Sequence, residues 1–235
     1  MRVLPVISTT VFKYGKDSSE MPSRETHARK SYERAALDEQ GINRDPFQQF
    51  TIWYDEAVAA GLPEPEAMTL STATSEGRPS ARIVLLRGYD ERGFCFFSNY
   101  SSQKGRELAA NPHAAVTFHW VELERQVRIS GQVEKVTAAE SDDYFQSRPS
   151  QSQIGAWSSP QSNVLPSRDT LEQFFNEYQE RYSDETAIPR PEHWGGYRVI
   201  PERIEFWQGR PNRLHDRLQF SRIDQGPWAL DRLAP

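Results

Sequence analysis

The sequence predicts a mainly β protein with flanking helices, an antiparallel barrel, on three observations. Short runs rich in β-branched and aromatic residues follow one another from residue 67 to residue 136. Turn signals such as "SEGRPS" and "DERG" separate them. In "RQVRISGQVEKV", Val127, Ile129, Gly131 and Val133 share one parity, the period-two pattern of a strand with one buried face. Short strands at this spacing close as a barrel.

The elements can be justified in chain order. Residues 1–28 read as a disordered leader; three basic residues precede the first acid, Asp17, which keeps organelle targeting open, but Pro5 interrupts a helix there. "RDPFQQFTIWYDEAV" predicts a helix capped by Asp45, with Pro46 in its first turn and Phe47, Phe50, Tyr54 and Ala57 at helical spacing. The strands "AMTLSTAT", "ARIVLLRGYD", "GFCFFSNY", "AAVTFHWVE" and "RQVRISGQVEKV" follow. Between them, "SSQKGRELAANP" is a helix with a serine cap and Pro112 as its stop. "TAAESDDYFQSRP" opens on the capping box of Thr137 and Glu140 and ends before Pro149. "SRDTLEQFFNEYQERY" puts Leu171, Phe174, Phe175 and Tyr178 on one stripe, and "GGYRVI", "RIEFWQG" and "LQFSRI" read as closing strands. There is no internal repeat and no linker, so residues 29–235 read as one domain.

Composition excludes several functions. No run of about 18 apolar residues is present, which excludes a membrane-spanning helix. The net charge of −5 argues against broad nucleic-acid binding, so any anion site must be local. The single Cys95 sits in "GFCFF" and reads as a buried small hydrophobe in a reducing, cytoplasmic setting. Histidines 27, 113, 119, 193 and 215 have no ligand spacing, and no metal is expected.

Two stretches gather groups suited to anions. In "YFQSRPSQSQIG", Tyr144 and Arg148 are four apart on the predicted helix, and Ser152 lies just beyond its end. A phenol, a guanidinium and a hydroxyl all donate to phosphate oxygens. Arg82 and Arg87 flank an apolar strand, and Ser98, Gln103 and Lys104 sit at a strand-to-helix junction, where backbone N–H groups favour an anion. A third stretch, "FWQGRPNRLHDR", makes a turn at Gly209, Pro211 and Asn212; on its own, Arg213, Asp216 and Arg217 would be the solvated charges of that turn.

The strings "RIVLLRGYDERGF", "SRPSQSQIGAW", "EFWQG", "RLHDR" and "DRLAP" resemble the pyridoxamine (pyridoxine) 5'-phosphate oxidase family, and the similarity runs from about Arg29 to Pro235. The resemblance implies an FMN-binding split β-barrel, homodimeric with FMN at the interface. It implies oxidation of pyridoxamine or pyridoxine 5'-phosphate to pyridoxal 5'-phosphate, with oxygen taking the electrons. By resemblance, FMN contacts fall on Arg82, Ile83, Val84, Leu85, Phe97, Ser98, Gln103, Lys104, Gln126, Gln161, Ser162, Trp207 and Arg217. The substrate phosphate falls to Arg87, Tyr144, Arg148 and Ser152; Arg213 and His215 lie over the pyridine ring and are the catalytic pair, with Leu214 also in the substrate-binding set. In an extended segment Arg213 and His215 would share a side, opposite Leu214, while Arg217 would bring positive charge to the flavin and Trp207 an apolar wall.

Two positions depart from the family pattern: Arg87 stands where lysine is common, and Gln103 where arginine is. Two alternatives stay open. One is a related split-barrel flavin oxidoreductase with another substrate; the other is a carrier of FMN or pyridoxal phosphate without turnover.

Overall fold

The computed structural model describes residues 31–224 and 226–235; the expected leader lies outside them. Contacts divide the chain after Ser31, and the unit Tyr32–Pro235 is described below. Its elements run α1 (Pro46–Ala59), β1 (Ala67–Ala73), β2 (Pro79–Leu85), β3 (Gly88–Asp90), β4 (Gly93–Asn99), α2 (Gln103–Ala110), β5 (His113–Trp120) and β6 (Arg125–Lys135). Then come α3 (Ala138–Ser147), α4 (Ser150–Ser158), α5 (Arg168–Arg181), β7 (Trp194–Gln208), β8 (Asp216–Ser221) and β9 (Ala229–Arg232).

All strand pairs are antiparallel, in the order β2-β1-β5-β6-β7-β4-β3, with β8 and β9 branching from β7. The expected "ARIVLLRGYD" strand is two strands. β2 pairs with β1 as far as Leu85; then the amide of Leu86 donates to Glu66 and that of Arg87 to Cys95, so the chain turns a corner and β3 pairs with β4. One segment therefore supplies both ends of the sheet path, and the sheet curls into a half-barrel.

The two expected strands around Pro201 are one strand, β7. Register slips between Ser130 and Gly131 of β6, where Pro201 faces Gly131. A proline can sit inside a sheet at such a bulge because no ladder donor is needed there. A Cβ on Gly131 would lie 2.0 Å from the Ile200 carbonyl oxygen, so only glycine allows the crossing. Before the bulge β7 pairs with β4, after it with β8. The sheet splits at this point.

The predicted parity on β6 holds: Val127, Ile129, Gly131 and Val133 all turn inward. α1 fills the concave side, where the fully buried Phe50 ring meets Tyr89, Phe94 and Phe118 at centroid distances of 4.8, 4.9 and 5.1 Å. Asp45 accepts from the Phe47 and Gln48 amides, as its position predicts. A smaller core of Phe145, Ile154, Ala156, Ile188 and Trp194 lies beneath α3 and α4. The α5 stripe is only half-buried against it. Cys95 differs from expectation: it alternates with the buried Phe94 and Phe96, so it is half-buried on the opposite face beside Arg198, and burial raises its thiol pKa.

Candidate active site

A cavity of about 950 Å³ opens where β2, the end of β4, the start of α2, and the α3–α4 pair meet. Arg82, Ile83, Val84, Leu85, Arg87, Phe97, Ser98, Gln103, Lys104, Tyr144, Arg148, Ser152, Gln161 and Ser162 all line it. On one side the cations gather at the first turn of α2, capped by the Ser102 hydroxyl. A Cβ on Gly105 would fall 2.1 Å from the Tyr100 carbonyl oxygen; its absence lets this turn press against the end of β4. Lys104 is only 8% exposed, and its Nζ donates to Gln161 Oε1 at 3.1 Å and Ser102 Oγ at 3.4 Å. Both acceptors are neutral. Burial, and then the nearby charge of Arg82, lowers the Lys104 pKa.

The carboxylate that orders this corner is Glu107, one α-helical turn from Gln103. Its Oε2 accepts from the hydroxyls of Thr72 and Ser80 and meets Arg82 Nη2 at 3.4 Å, while its Oε1 accepts from Gln103 Nε2 at 2.9 Å. Sequence reading missed Glu107, although its spacing from Gln103 on a predicted helix was a usable signal.

The other side of the cavity is aromatic and cationic. Tyr144 stacks on Phe97 at 3.9 Å between centroids, and Phe97 on Trp194 at 5.6 Å. The Arg148 guanidinium lies 4.7 Å over the Trp194 ring, and its buried Nη1 has no hydrogen-bond partner among the described residues. Arg148 does not continue the α3 helix; it is the cap residue, in extended conformation. Ser152 lies beyond the end of α3, as expected, but inside α4, a helix the sequence did not reveal. Convergence at the cavity therefore comes from a helix–cap–helix corner, not from an i,i+4 pair.

The remaining predicted residues do not line this cavity. Gln126, Trp207 and Arg217 form a cross-strand row on β6, β7 and β8, Gln126 opposite Trp207 and Trp207 opposite Arg217. His215 stacks obliquely on Trp207 at 4.6 Å, and Tyr32 meets Trp207 and His215 edge-on at 5.9 and 5.8 Å. Arg217 is already paired: Nε and Nη2 reach the two oxygens of buried Glu205 at 2.8 and 3.1 Å, which also raises its pKa. Glu205 Oε2 also accepts from Arg128 Nη1 at 3.1 Å, so one carboxylate is shared by two guanidinium groups and Arg217 is a paired rather than a free cation.

The expected extended run from Arg213 to His215 is replaced by a turn. Pro211–Arg213 is a single 3₁₀ turn in which Asn212 and Arg213 have φ of 57° and 63°. Strand alternation therefore does not govern these side chains. Asn212, Arg213 and Leu214 are exposed, while His215 is half-buried and accepts at Nδ1 from the Arg210 amide at 3.1 Å. Its neutral ring then carries the proton on Nε2. Burial and the charge of Arg213 lower its pKa, against the opposing effect of Asp216.

Among the described residues, no group of three or more His, Cys, Asp or Glu side chains could hold a metal, and no helix is long and apolar enough to cross a membrane. Residues 54–182 match the family model described as pyridoxamine 5'-phosphate oxidase. Residues 194–235 match that of the pyridoxine 5'-phosphate oxidase C-terminal dimerisation region. The chain is 60% identical over 207 residues to the pyridoxine/pyridoxamine 5'-phosphate oxidase of Burkholderia multivorans, covering 87% of this chain and 96% of that one. With the enzyme of the same name from Trichormus variabilis the identity is 57%, over 88% and 96%. Among solved structures, PhzG from Burkholderia lata, in complex with tetrahydrophenazine-1-carboxylic acid, superposes with a TM-score of 0.79 at 33% identity, covering 85% of this chain and 98% of that one. A pyridoxamine 5'-phosphate oxidase-related, FMN binding protein from Nostoc punctiforme shares the fold, with a TM-score of 0.65 at 15% identity over 83% and 100% of the two chains. By model match, identity and fold together, this chain belongs to the pyridoxamine 5'-phosphate oxidase family of oxidoreductases.

Proposed function

We propose that the protein binds FMN and oxidises pyridoxamine 5'-phosphate and pyridoxine 5'-phosphate to pyridoxal 5'-phosphate, oxygen being reduced to hydrogen peroxide. The observation that carries this reading is a cavity with two separate cationic corners, Lys104 with Arg82 and Arg148 with its unpartnered Nη1. Two anionic groups, one on a cofactor and one on a substrate, would satisfy both. The donor set also fits FMN: an ammonium with only neutral hydrogen-bond partners, a guanidinium, and hydroxyls at a helix N-terminus suit a phosphate monoester. The strand backbone of Ile83 to Leu85 would run along the ring system.

FMN, when bound, supplies the two-electron acceptor. The chain's own residues position and discharge the substrate. Arg148, Tyr144, Ser152 and Arg87 would hold its phosphate, and the Tyr144–Phe97–Trp194 stack would keep water from that corner. His215, neutral with Nε2–H outward, would donate a hydrogen bond to the substrate, and Arg213 would cover its ring. For the amine, water enters and ammonia leaves; for the alcohol, only the hydride and hydroxyl proton are lost.

A single chain does not place His215 and Arg213 in the cavity. A homodimer would, if the row of one subunit covered the cavity of the other; the match of residues 194–235 to a dimerisation region supports this arrangement. The deciding experiment is anaerobic mixing of the FMN-loaded protein with pyridoxamine 5'-phosphate, following flavin absorbance, with unphosphorylated pyridoxamine as control. Bleaching by the phosphate ester alone, reversed by air with peroxide formed, is expected. A yellow protein that never bleaches would instead favour a carrier, and bleaching by both amines would favour an oxidoreductase with another substrate.

A further inference from the structure

We infer that Arg210 and Asp216 are positioning residues for His215, forming a clamp that fixes its tautomer and holds the turn that carries it. The inference rests on the substrate-facing role proposed for His215. Neither residue entered the site by resemblance, and Asp216 read as a solvated charge of the turn. Its side chain is only 17% exposed, and its carboxylate takes part in three contacts from three parts of the chain. Oδ2 accepts from Arg210 Nη1 at 3.2 Å and from the Leu37 amide at 3.1 Å, and Oδ1 accepts from Arg232 Nη1 at 2.9 Å. Arg232 in turn donates to the Leu37 carbonyl and pairs with Glu39. The turn entrance, strand β9 and the segment ahead of α1 are thus tied to the residue beside His215.

The second arm of the clamp is the Arg210 backbone. Its amide donates to His215 Nδ1 at 3.1 Å, while its guanidinium is held by Asp216. One residue therefore fixes the ring from one side and is itself fixed from the other. Between the two contacts lie Asn212 and Arg213, both non-glycine residues at positive φ. Such backbone persists only where its surroundings over-determine it. Without the ion pair the turn is free to relax, the Arg210 amide leaves Nδ1, and His215 loses its fixed Nε2–H. Among the described residues, five groups face the ring: Arg213, Asp216 and Arg210 from its own segment, Trp207 from β7 and Tyr32 from the preceding segment.

The test uses the FMN-loaded protein with ¹⁵N-labelled histidine, His215→Ala identifying the His215 signals. In the wild type, Nδ1 should titrate as an acceptor with the proton on Nε2. Arg210→Ala should mix the tautomers, raise the His215 pKa and lower kcat by roughly tenfold, less than the ~10²-fold that full misplacement of a catalytic group can cost. FMN affinity should not change. Arg210→Lys, which can still reach Asp216, should restore tautomer, pKa and kcat together. An unchanged tautomer and pKa in Arg210→Ala would overturn the inference. Mixed tautomers with wild-type kcat would leave the clamp in place and overturn the role of His215 in turnover.

Discussion

The cavity and the aromatic row differ in how their charges are settled. At the cavity, Lys104 makes its hydrogen bonds to neutral groups and Arg148 has a buried donor without a partner among the described residues. On the row, Arg217 is bound by Glu205, Arg210 and Arg232 by Asp216, and His215 by the Arg210 amide. Unsatisfied buried donors cost free energy unless something arrives to accept from them, whereas satisfied groups are rigid but ask for nothing. The cavity keeps donors that the proposed cofactor and substrate could use, whereas the charges of the row are paired within the chain. The proposed function joins the two through a homodimer, the row of one subunit over the cavity of the other.

The largest effect should come from breaking each half separately and then mixing them. Arg148→Ala breaks the cavity and His215→Ala breaks the row, and each homodimer should fall at least ~10²-fold in turnover. In a heterodimer one site inherits both defects and the other neither. Co-refolded in equal amounts, two nearly inactive variants should recover about a quarter of wild-type activity, since half the dimers are mixed and each has one intact site. No recovery would mean that cavity and row serve the same subunit, or do not meet at all.

Arg148→Ala on its own sharpens the cavity half. Removing a charge-assisted contact to phosphate should lower kcat/KM for pyridoxamine 5'-phosphate by ~10²-fold, with little change for the unphosphorylated amine. Steady-state peroxide release measures both. An equal loss with both substrates would place Arg148 in the packing against Trp194 rather than at the phosphate.

The same contrast explains what the sequence disclosed. Elements with a regular period were legible: the inward parity of β6, and the caps at Asp45, Ser102 and Thr137. The family strings named residues for both halves, but no periodicity says that only some of them line the cavity. α4 was missed because Gln153, Ile154, Ala156 and Ser158 are buried on several sides, leaving no amphipathic stripe. The split of "ARIVLLRGYD" was hidden because both parts are β-rich and only the change of partner, from β1 to β4, divides them. Strand alternation from Arg213 to His215 failed at two positive φ values in residues that rarely adopt them.

A smaller effect should appear in acid stability. Burial pushes the Glu107 pKa up, but hydrogen bonds from Ser80, Thr72 and Gln103 and the charge of Arg82 outweigh it and hold it at about 2, below its ordinary 4.5. A carboxyl depressed on folding contributes its full stability above the unfolded value, and that contribution is lost as pH falls from 4.5 towards 2. Glu107→Gln should flatten this part of the acid-unfolding curve. At neutral pH it should cost about 2 kcal/mol, seen as a Tm lower by about 4–8 °C. On the row side, Glu39 is also held at about 2, chiefly by its hydrogen bond to Arg232, but it is exposed. Glu39→Gln should leave Tm unchanged within error. Equal losses in the two variants would erase the distinction between a buried, ordered corner and a solvated strap.

The smallest effect concerns Gln103. Family resemblance implies arginine there, and Gln103 takes one cation from that corner. The structure gives Gln103 a different task, since its amide donates to Glu107 Oε1, the oxygen that Arg82 does not contact. An arginine at 103 would take over that oxygen, so most of its charge would be spent on a carboxylate already shared with Arg82. Gln103→Arg should therefore tighten FMN by only about threefold, well short of the 1.5–3 kcal/mol that a charged hydrogen bond can contribute. Fluorescence titration of the apoprotein with FMN reads the change. A gain of a hundredfold would mean that Glu107 releases the new guanidinium to the phosphate, and that Gln103 leaves the cation corner short of a charge it could use.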